Sequence, residues 1–337
     1  MRVNPKTMQE TTEMVLPVQG LAVSLNDLIS IKATGSLPYR GTLDVGNDFV
    51  RIWIDATDAN GDNESVPLGT FMLATTATEN VPTGASGVAD MYSVLQILAF
   101  SAIRDYLTVP AGTNAVTYAA SVVTRAGLPV LAQPSSMTLT TDANFEPGVS
   151  RLEIINTLLD VAGYDSADVD GFGNVLLRPD VDPTGNNPSL TFDTGSQAII
   201  RPSVPYELDT FEVPNVIIAV MSNDAQSLVS VAVNDAPGNR YSTVSRGYEV
   251  TEAIEVSDIA NQAALDEYAR AQLIAKTTSV ESVYISHPYM PYNPGDTVRV
   301  LIPGLDFTGS VASKRMAVDA TGVLMVTETR VRRFVRF

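Results

Sequence analysis

The sequence predicts a mainly β protein with α+β insertions, and three observations support this fold class. Valine, threonine and isoleucine recur throughout, and 22 glycines and 20 prolines interrupt the chain at short intervals. Such a pattern is typical of many short strands joined by turns. Helical patterns are few and clustered. Because strands and helices do not alternate, a doubly wound α/β sheet is disfavoured, and two antiparallel β-barrels or sandwiches agree better with the order of elements.

Three segments show clear strand patterns. Residues 49–55 (FVRIWID) alternate between two faces, with Arg51 opposite the isoleucines. Residues 213–221 (VPNVIIAVM) and 296–303 (DTVRVLIP) are further predicted strands. The last strand follows residues 293–296 (NPGD), a strong turn sequence because proline presets φ and glycine permits a positive φ.

Four segments have helical spacing of apolar residues. They cover residues 93–107, 116–127, 149–163 and 257–277. Asp90 or Ser93 can cap the first helix, Ser150 the third, and Ser257 or Asp258 the fourth. Glycine ends the second and third helices.

The order of these elements predicts three parts of the chain. Residues 1–90 form the N-terminal part of a first β-barrel, and residues 91–192 form an α+β insertion domain. Residues 193–337 form a second β-barrel that contains the helix 257–277, and some of its strands can complete the first barrel. A chain of 337 residues exceeds what one hydrophobic core usually organises, which agrees with several domains.

Composition and charge exclude several classes of function. The net charge of −17 argues against ordinary nucleic-acid binding and against docking on anionic lipid. The chain has no cysteine, which excludes disulfides and thiolate chemistry. No apolar run approaches the roughly 18 residues that a membrane span needs. Because the N-terminal residues also lack the apolar segment of a signal peptide, we expect folding in a cytoplasm.

No combination of residues predicts catalysis or a cofactor. His287 is the only histidine, its surroundings look like a strand end, and a histidine beside proline is more typical of a loop residue than of a catalyst. No G-x-S-x-G, G-x-G-x-x-G or phosphate-binding G-x-x-x-x-G-K-[ST] motif is present. The 38 acidic residues offer many carboxylate pairs, but none stands out as a glycosidase pair. We therefore expect a protein without enzymatic activity and without a cofactor.

Two aspartate-rich segments resemble calcium loops at first sight. Residues 163–179 (GYDSADVDGFGNVLLRP) and 55–65 (DATDANGDNES) combine aspartates with glycine. Both are also typical of polar hairpin turns between strands, and we favour turns. A calcium site of another type, with Asp168 and Asp170 as ligands, stays open.

The spacing in both segments fails the EF-hand requirement. Such a loop needs oxygen ligands at positions 1, 3, 5, 7 and 9, glycine at position 6 and a bidentate glutamate at position 12. With Gly171 at position 6, Ser166 falls at position 1 and Leu177 at position 12, where it cannot coordinate. With Gly61 at position 6, Ala56 falls at position 1.

The C-terminal segment TRVRRFVRF is the only local basic cluster. Its arginines are Arg330, Arg332, Arg333 and Arg336. Two interpretations remain open. The segment is a last strand whose arginines face one side, or it is a docking strand that meets an acidic partner.

Several motifs occur in a distinctive order. They are YRGTLDV, FVRIWID and VPLGTFML, then ADMYSVLQIL and LTVPAGTNAVTYAASVVTRAGLP, and then FEVPNVIIAV, APGNRYSTVSRG, ALDEYARAQL and MPYNPGDTVRVLIPG. In order and spacing they resemble the tail hub proteins of tailed bacteriophages, a family that includes baseplate hub and late-control proteins. The resemblance covers most of residues 15–330, although each motif alone occurs widely.

The resemblance implies a structural protein with two hub-type barrels. Hub proteins of this family form a homotrimer whose pseudo-sixfold ring joins the tail tube to a central fibre or spike. The implied partners are further copies of the chain, a distal tail protein or tail tube protein, the fibre or spike, and the tape measure protein in the lumen. Genomic DNA passes only in transit, and no membrane binding is implied. The implied location is the virion tail tip, after assembly in the host bacterial cytoplasm.

Two alternatives and two further expectations accompany this reading. A hexameric distal tail ring adaptor is the alternative within phage biology, and a β-barrel protein that binds or cleaves carbohydrate is the alternative from another class. Because Phe337 follows the last predicted strand, we expect no added lysozyme or peptidase domain. The acidic balance predicts acidic side chains around the lumen of the ring, where they would repel DNA phosphates, although it also agrees with simple solubility.

Overall fold

The computed structural model describes residues 1–13, 15, 20–40, 43–57, 61, 63–81, 84–180, 186–195, 200–201, 205–208, 213–222, 227–256, 259, 261–278, 281–318 and 325–333. The chain divides into two compact units. Unit 1 comprises Met1–Val181, Pro288–Pro291 and Ser313–Thr327, and unit 2 comprises Asp182–His287, Tyr292–Ala312 and Glu328–Phe337.

Unit 1 contains short and long strands and a group of helices. Its strands are β1 (Arg2–Val3), β2 (Ala22–Asn26), β3 (Ala33–Arg40), β4 (Phe49–Thr57), β5 (Asn63–Val81), β6 (Gly84–Ser93), β7 (Leu107–Val109), β8 (Val130–Ala132), β9 (Ala143–Phe145), β10 (Asp168–Val169) and β11 (Val175–Leu177). Its helices are α1 (Leu95–Phe100), α2 (Ala115–Arg125) and α3 (Arg151–Val161).

Unit 2 is built mainly from strands and one long helix. Its strands are β12 (Leu190–Asp193), β13 (Tyr206–Leu208), β14 (Val216–Ser222), β15 (Ser227–Val233), β16 (Thr251–Val256), β17 (Glu281–Pro288) and β18 (Thr297–Ile302). Its helices are α4 (Thr243–Arg246) and α5 (Gln262–Thr278). The last two strands, β19 (Leu305–Val318) and β20 (Met325–Arg333), contribute residues to both units.

The main sheet of unit 1 has the order β1-β4-β5-β6-β3-β2, followed by the second half of β19. Neighbouring strands in this order pair antiparallel, and β4 matches the predicted strand at residues 49–55. Alternate residues point to one face and bury it. The core on that face includes Leu37, Phe71, Leu73 and Met91.

The helices of unit 1 pack around a second core. Asn114 caps α2 by accepting a hydrogen bond from the backbone of Thr117, and Ser150 caps α3 in the same way from Glu153. Apolar residues at helical spacing bury one side of α3, namely Ile154, Ile155, Leu158 and Leu159. Both helices and the predicted Ser150 cap are therefore confirmed.

The first predicted helix is much shorter than expected. α1 ends at Phe100, because Ser101 adopts an extended conformation and Ala102 forms a β-bridge with Ser150. The predicted caps are wrong as well. Asp90 and Ser93 lie in β6, where pairing with β5 satisfies their backbone groups.

A small sheet of unit 2, in the order β15-β14-β16, packs one face on α5. Ile217 and Met221 of β14 meet Leu265 and Leu273 of α5 in this core. The helix begins at Gln262, later than predicted, and the preceding Asn261 accepts a hydrogen bond from the backbone of Ala264. The predicted caps Ser257 and Asp258 lie outside the described residues.

The remaining strands of unit 2 form further pairs. β12 runs parallel to β18, and β18 pairs antiparallel with the first half of β19. β20 lies next to β17, which pairs antiparallel with β13. The predicted turn before β18 is confirmed, since Gly295 has a φ of +90° and the Asp296 side chain accepts from the backbone of Asn293.

The fold is mainly β with several sheets, as predicted. The sheets do not close on themselves within the described part of the chain, so the two predicted barrels are not confirmed. None of the described helices is long and apolar enough to cross a lipid bilayer.

Candidate functional site

Asp168 and Asp170, the two candidate metal ligands, lie at a hairpin turn in unit 1. β10 and β11 pair antiparallel, with Asp168 opposite Leu176. One carboxylate oxygen of Asp170 accepts from the backbone N–H groups of Phe172 (2.9 Å) and Asn174 (2.8 Å). The other oxygen accepts from the Asn174 side-chain amide over 2.7 Å. The predicted hairpin turn is therefore confirmed.

Asp168 is also bound within the protein. Its carboxylate lies 2.6 Å from an Arg178 nitrogen and accepts from the backbone of Val169 over 2.8 Å. Burial raises the pKa of Asp168, and these two contacts oppose the shift. Across the described residues, no group of three or more His, Cys, Asp or Glu side chains could hold a metal ion. Metal binding by Asp168 and Asp170 stays the open alternative to the turn that we favour.

Charged side chains crowd around Asp165, which follows α3. Partial burial, with the negative charges of Asp180 and Asp27, raises the pKa of Asp165 to about 6. Lys32 and Arg178 oppose this shift in part. The buried ammonium of Lys32 donates a hydrogen bond to Asp27 over 2.6 Å. The β2–β3 turn and the segment after α3 thus bring five charged groups close enough to interact.

The buried side chain of Arg51 connects β4 to the turn between β10 and β11. Arg51 is only 6% exposed. Its Nε donates to the Thr70 hydroxyl over 2.8 Å, and its Nη2 donates to the carbonyl oxygens of Phe172 (2.8 Å) and Met8 (3.1 Å). Its Nη1 lies 3.2 Å from a carboxylate oxygen of Glu10. The charge is thereby paired and hydrogen-bonded, as a buried guanidinium requires.

Residues 170–173, called here the aspartate turn, pack directly on β4 and β5. The Thr70 hydroxyl donates to the carbonyl oxygen of Gly171 over 3.0 Å. A Cβ atom on Gly171 would lie 2.2 Å from the carbonyl oxygen of Pro67, so only glycine is tolerated there. The Phe172 ring meets Trp53 edge-on, with 6.0 Å between the centroids. The aspartate turn therefore fastens the helical part of unit 1 to its main sheet.

His287 lies at the end of β17, as its surroundings predict, but it is buried rather than a loop residue. Its Nε2 is 2.6 Å from the Tyr292 hydroxyl and 2.9 Å from the Thr329 hydroxyl, and these two hydroxyls also contact each other. The Phe192 ring packs against it at 5.2 Å between centroids. Burial raises the pKa of Tyr292, so its hydroxyl remains a donor. The cluster joins β17 to β20.

The candidate interface arginines lie mostly in β20. The Nε of Arg330 donates to the Ser282 hydroxyl of β17 over 2.9 Å, which holds this side chain within unit 2. Arg332 is half-buried and Arg333 ends the strand. Arg336 lies outside the described residues. Their role in an interface stays a prediction.

The second aspartate-rich segment, residues 55–65, joins β4 to β5. Asp55 lies opposite Ser65 in the antiparallel register, and the Ser65 hydroxyl donates to the Asp55 carboxylate over 2.6 Å. Residues 58–60 and 62 lie outside the described part of the chain. The predicted hairpin is confirmed by the strand pairing on both sides of them.

The fold is similar to solved structures of tail proteins and of a type VI secretion component. A tail protein from Neisseria meningitidis MC58 is 15% identical and has a TM-score of 0.71, with 94% of this chain and 92% of that chain covered. The 43 kDa tail protein of prophage MuSo2 from Shewanella oneidensis is 12% identical with a TM-score of 0.63, covering 94% of each chain. A third similar structure is the E. coli c3393 protein, a type VI secretion component described as structurally similar to the T4 bacteriophage tail proteins gp27 and gp5. It is 7% identical and has a TM-score of 0.52, with 98% of this chain and 78% of that chain covered.

These likenesses confirm, at the level of the fold, the resemblance to phage tail hub proteins. No protein-family model matches the sequence, and no curated protein matches it.

Sequence reasoning missed the central role of Arg51 and Gly171. In the sequence, Arg51 shares one face of the alternating strand with aromatic and acidic residues. The same pattern occurs where an arginine faces solvent, so the sequence does not show that Arg51 is buried. A signal was nevertheless present. Phe172 is an aromatic residue in an otherwise polar turn, which indicates a turn that packs against another surface.

Proposed function

We propose that the chain is a structural hub protein of a bacteriophage tail tip or baseplate and not an enzyme. The observation that carries this proposal is the likeness of nearly the whole chain to tail proteins, with a TM-score of 0.71 over 94% of its length. A fold alone does not assign a function. The order of hub-like sequence motifs adds support that is independent of the coordinates.

The proposed assembly is a trimer with pseudo-sixfold symmetry. Three chains that each contribute two similar β-rich domains give six positions around a ring, which suits a joint between a sixfold tube and a threefold fibre. The chain supports this arrangement with two compact units, each containing antiparallel strand pairs. We retain the division into residues 1–90, 91–192 and 193–337 as part of the proposal.

The proposed partners follow from the position of a hub. Above the ring lie a distal tail protein or tail tube protein, below it lies the fibre or spike, and the tape measure protein and then DNA occupy the lumen. The neighbours in fold include a type VI secretion component related to gp27 and gp5, which supports contacts with spike-type proteins. The proposed location is the virion tail, after assembly in the host cytoplasm.

The acidic balance of the chain suits a conduit for DNA. With a net charge of −17, the wall of the lumen would repel phosphate and let the polymer slide. We propose that acidic side chains, and not arginines, line the lumen. A ring structure with a basic lumen would contradict this part of the proposal.

Deletion of the gene from the phage or prophage that encodes the chain tests the function. The hub proposal predicts tubes or particles without a completed tail tip, and complementation restores infectivity. Intact, infectious particles without the chain would contradict it. Native mass spectrometry of the assembled ring separates a trimeric hub from a hexameric distal tail adaptor. Cleavage of cell-wall glycan that a single carboxylate substitution abolishes would instead support the carbohydrate-active alternative.

A further inference from the structure

The small sheet of unit 2 leaves one strand edge open. β15 pairs with β14 on one side, and no described strand pairs with its other side. An open edge presents backbone N–H and C=O groups that can pair with a further strand. The Gln262 side chain donates to the Val229 carbonyl over 3.1 Å, so Val229 directs its backbone groups outward. By alternation, those of Val231 and Val233 point outward too.

A groove runs between this edge and helix α5. It encloses about 580 Å³ and on one side follows residues 229–236, which are the end of β15 and the loop after it. Asp266, Arg270, Leu273 and Ile274 of α5 form the other side. A groove between an edge strand and a helix is the geometry by which several domains bind an extended peptide as an added strand.

A buried amide in the groove has no partner within the described residues. Asn234 is 2% exposed, lines the groove, and neither its side-chain oxygen nor its nitrogen makes a hydrogen bond there. Buried polar groups are nearly always paired in folded proteins. An asparagine side chain offers one acceptor and two donors, and a turn of the buried Asn234 side chain into the groove would let it pair with the backbone of an incoming peptide.

The outer face of the sheet beside this edge is apolar. Val229, Val231 and Val233 are exposed by 53%, 57% and 46%. They lie next to Val220, Ile218 and Val216 of β14 in the register. Val229, Val231 and Val233 are called here the valine row, and an added strand with apolar side chains on that face would extend it.

The charge of the groove selects a basic occupant. Asp235 and Asp266 lie along it against the single cation Arg270. Hydrogen bonds from Ser230 and Gln262 lower the pKa of Asp266, which favours its negative charge. The chain itself contains one segment that is both basic and apolar, at residues 329–337.

We propose that residues 334–337 of a second copy of the chain add to the open edge of β15 as a short antiparallel strand. The structure describes β20 as far as Arg333, and residues 334–337 follow it in the sequence outside the described part of the chain. Phe334 and Arg336 lie on one face of the added strand, and Val335 and Phe337 lie on the other. Phe334 then packs on Leu273 and Ile274, Arg336 pairs with Asp266, and Val335 and Phe337 extend the valine row.

The antiparallel direction follows from these proposed contacts together with the course of α5 along β15. Gln262 contacts Val229, and the Ser230 hydroxyl donates to Asp266 over 2.7 Å, so both elements run in the same direction. Phe334 at the Leu273 end and Arg336 at the Asp266 end therefore place the added strand opposite in direction to β15. The proposal names a contact between copies and so rests on the proposed multi-copy assembly.

The test measures binding of a labelled peptide, TRVRRFVRF, to the chain that stops at Arg333, by fluorescence anisotropy. Strand addition uses the backbone N–H groups of alternate residues only. Two further peptides therefore carry a methyl group on the backbone nitrogen of Val335 or of Arg336. One of the two methylations should weaken binding at least about tenfold, and the other methylation should leave binding unchanged. Absence of binding, equal binding of a scrambled peptide, or equal effects of both methylations would overturn the proposal.

Substitutions in the groove provide the second measurement. Asn234→Leu should weaken peptide binding about tenfold and raise the melting temperature, because it removes an unpaired buried amide. The matched control Glu255→Gln, at an exposed position of β16, should change neither. If the Asn234→Leu variant has a lower melting temperature and binds the peptide normally, Asn234 belongs to the core, and its proposed role in binding the peptide is overturned. Failure of peptide binding in a chain that still forms a trimeric ring would leave the proposed function intact.

Discussion

The Nη2 atom of Arg51 donates a hydrogen bond to the carbonyl oxygen of Phe172 over 2.8 Å, although 121 residues separate them. Arg51 lies in the main sheet of unit 1, and Phe172 lies in the turn between two short strands that follow the helices. This contact, with those of Thr70 and Gly171, holds the helical part of unit 1 on its sheet. Hydrogen bonds from the backbone of Phe172 and Asn174 to the Asp170 carboxylate shape the turn for this docking.

Replacement of Arg51 should therefore destabilise unit 1. Arg51→Met leaves the Phe172 and Met8 carbonyls without this donor and removes the positive charge beside Glu10, whose carboxylate keeps the hydrogen bond from the Trp53 indole. We expect a loss of about 3 to 5 kcal/mol in the free energy of unfolding. Urea denaturation followed by fluorescence of Trp53, the single tryptophan, measures it next to the contact. Arg40→Met, at an exposed position of β3, serves as the control and should change stability by less than about 0.5 kcal/mol. Equal effects of the two substitutions would contradict the account.

A methyl group at Gly171 should loosen the aspartate turn. The Cβ atom in Gly171→Ala would collide with the carbonyl oxygen of Pro67 at 2.2 Å, so the turn must move away from β5. We expect a loss of about 1 to 3 kcal/mol and faster hydrogen exchange at the Phe172 amide. Gly238→Ala is the matched control, because no atom lies within 4 Å of its added Cβ. Unchanged stability of Gly171→Ala would show that the turn does not dock as described.

The crowded carboxylates predict a pH dependence. The pKa of Asp165 is raised to about 6 in the folded protein, above the value of about 3.9 in an unfolded chain. The folded state therefore binds this proton more tightly, and stability decreases as the pH rises from about 4 to about 6. Asp165→Asn should melt at a higher temperature than the wild type at pH 7.5, with no difference near pH 4. The Asp165 side chain retains contact with solvent, so the effect is modest.

The exposed Asp105, also in unit 1, provides the control for this measurement. Asp105→Asn should follow the wild type across the whole pH range. A melting temperature of Asp165→Asn that stays equal to the wild type at pH 7.5 would show that the Asp165 carboxylate is not destabilised by its neighbours.

The buried cluster around His287 should contribute to the stability of unit 2. Tyr292→Phe removes the hydroxyl that contacts both His287 and Thr329, and we expect a loss of about 1 to 2 kcal/mol. Thermal denaturation by circular dichroism measures it, with Tyr106→Phe at a 79% exposed position as the control. If both variants melt with the wild type, the cluster is not a stabilising contact.

Much of the local structure could be predicted from the sequence. The Ser150 cap and the turn before β18 depend on neighbouring residues only, and both predictions are confirmed. The hairpin at Asp170 was predicted for the same reason, since its aspartate and glycines shape a turn wherever it lies.

Contacts between distant segments could not be predicted in the same way. α1 ends early because Ala102 bridges to Ser150, which lies far along the chain. Arg51 is buried because the aspartate turn covers it, and nothing in the alternation of β4 shows which surface arrives there. Likewise the groove beside β15 depends on how α5 packs, since the spacing of Asp266 and Ile274 alone indicates only an amphipathic helix.

Cryo-electron microscopy of tails of the phage that encodes the chain would decide whether the chain is a structural hub protein, because it gives the copy number and the position of the chain. A tail hub requires three copies in a ring at the tail tip, and we expect the Arg51–Phe172 contact to be formed in each. Six copies in the ring would support a distal tail adaptor instead. Absence of the chain from the mature tail would contradict the proposed structural role.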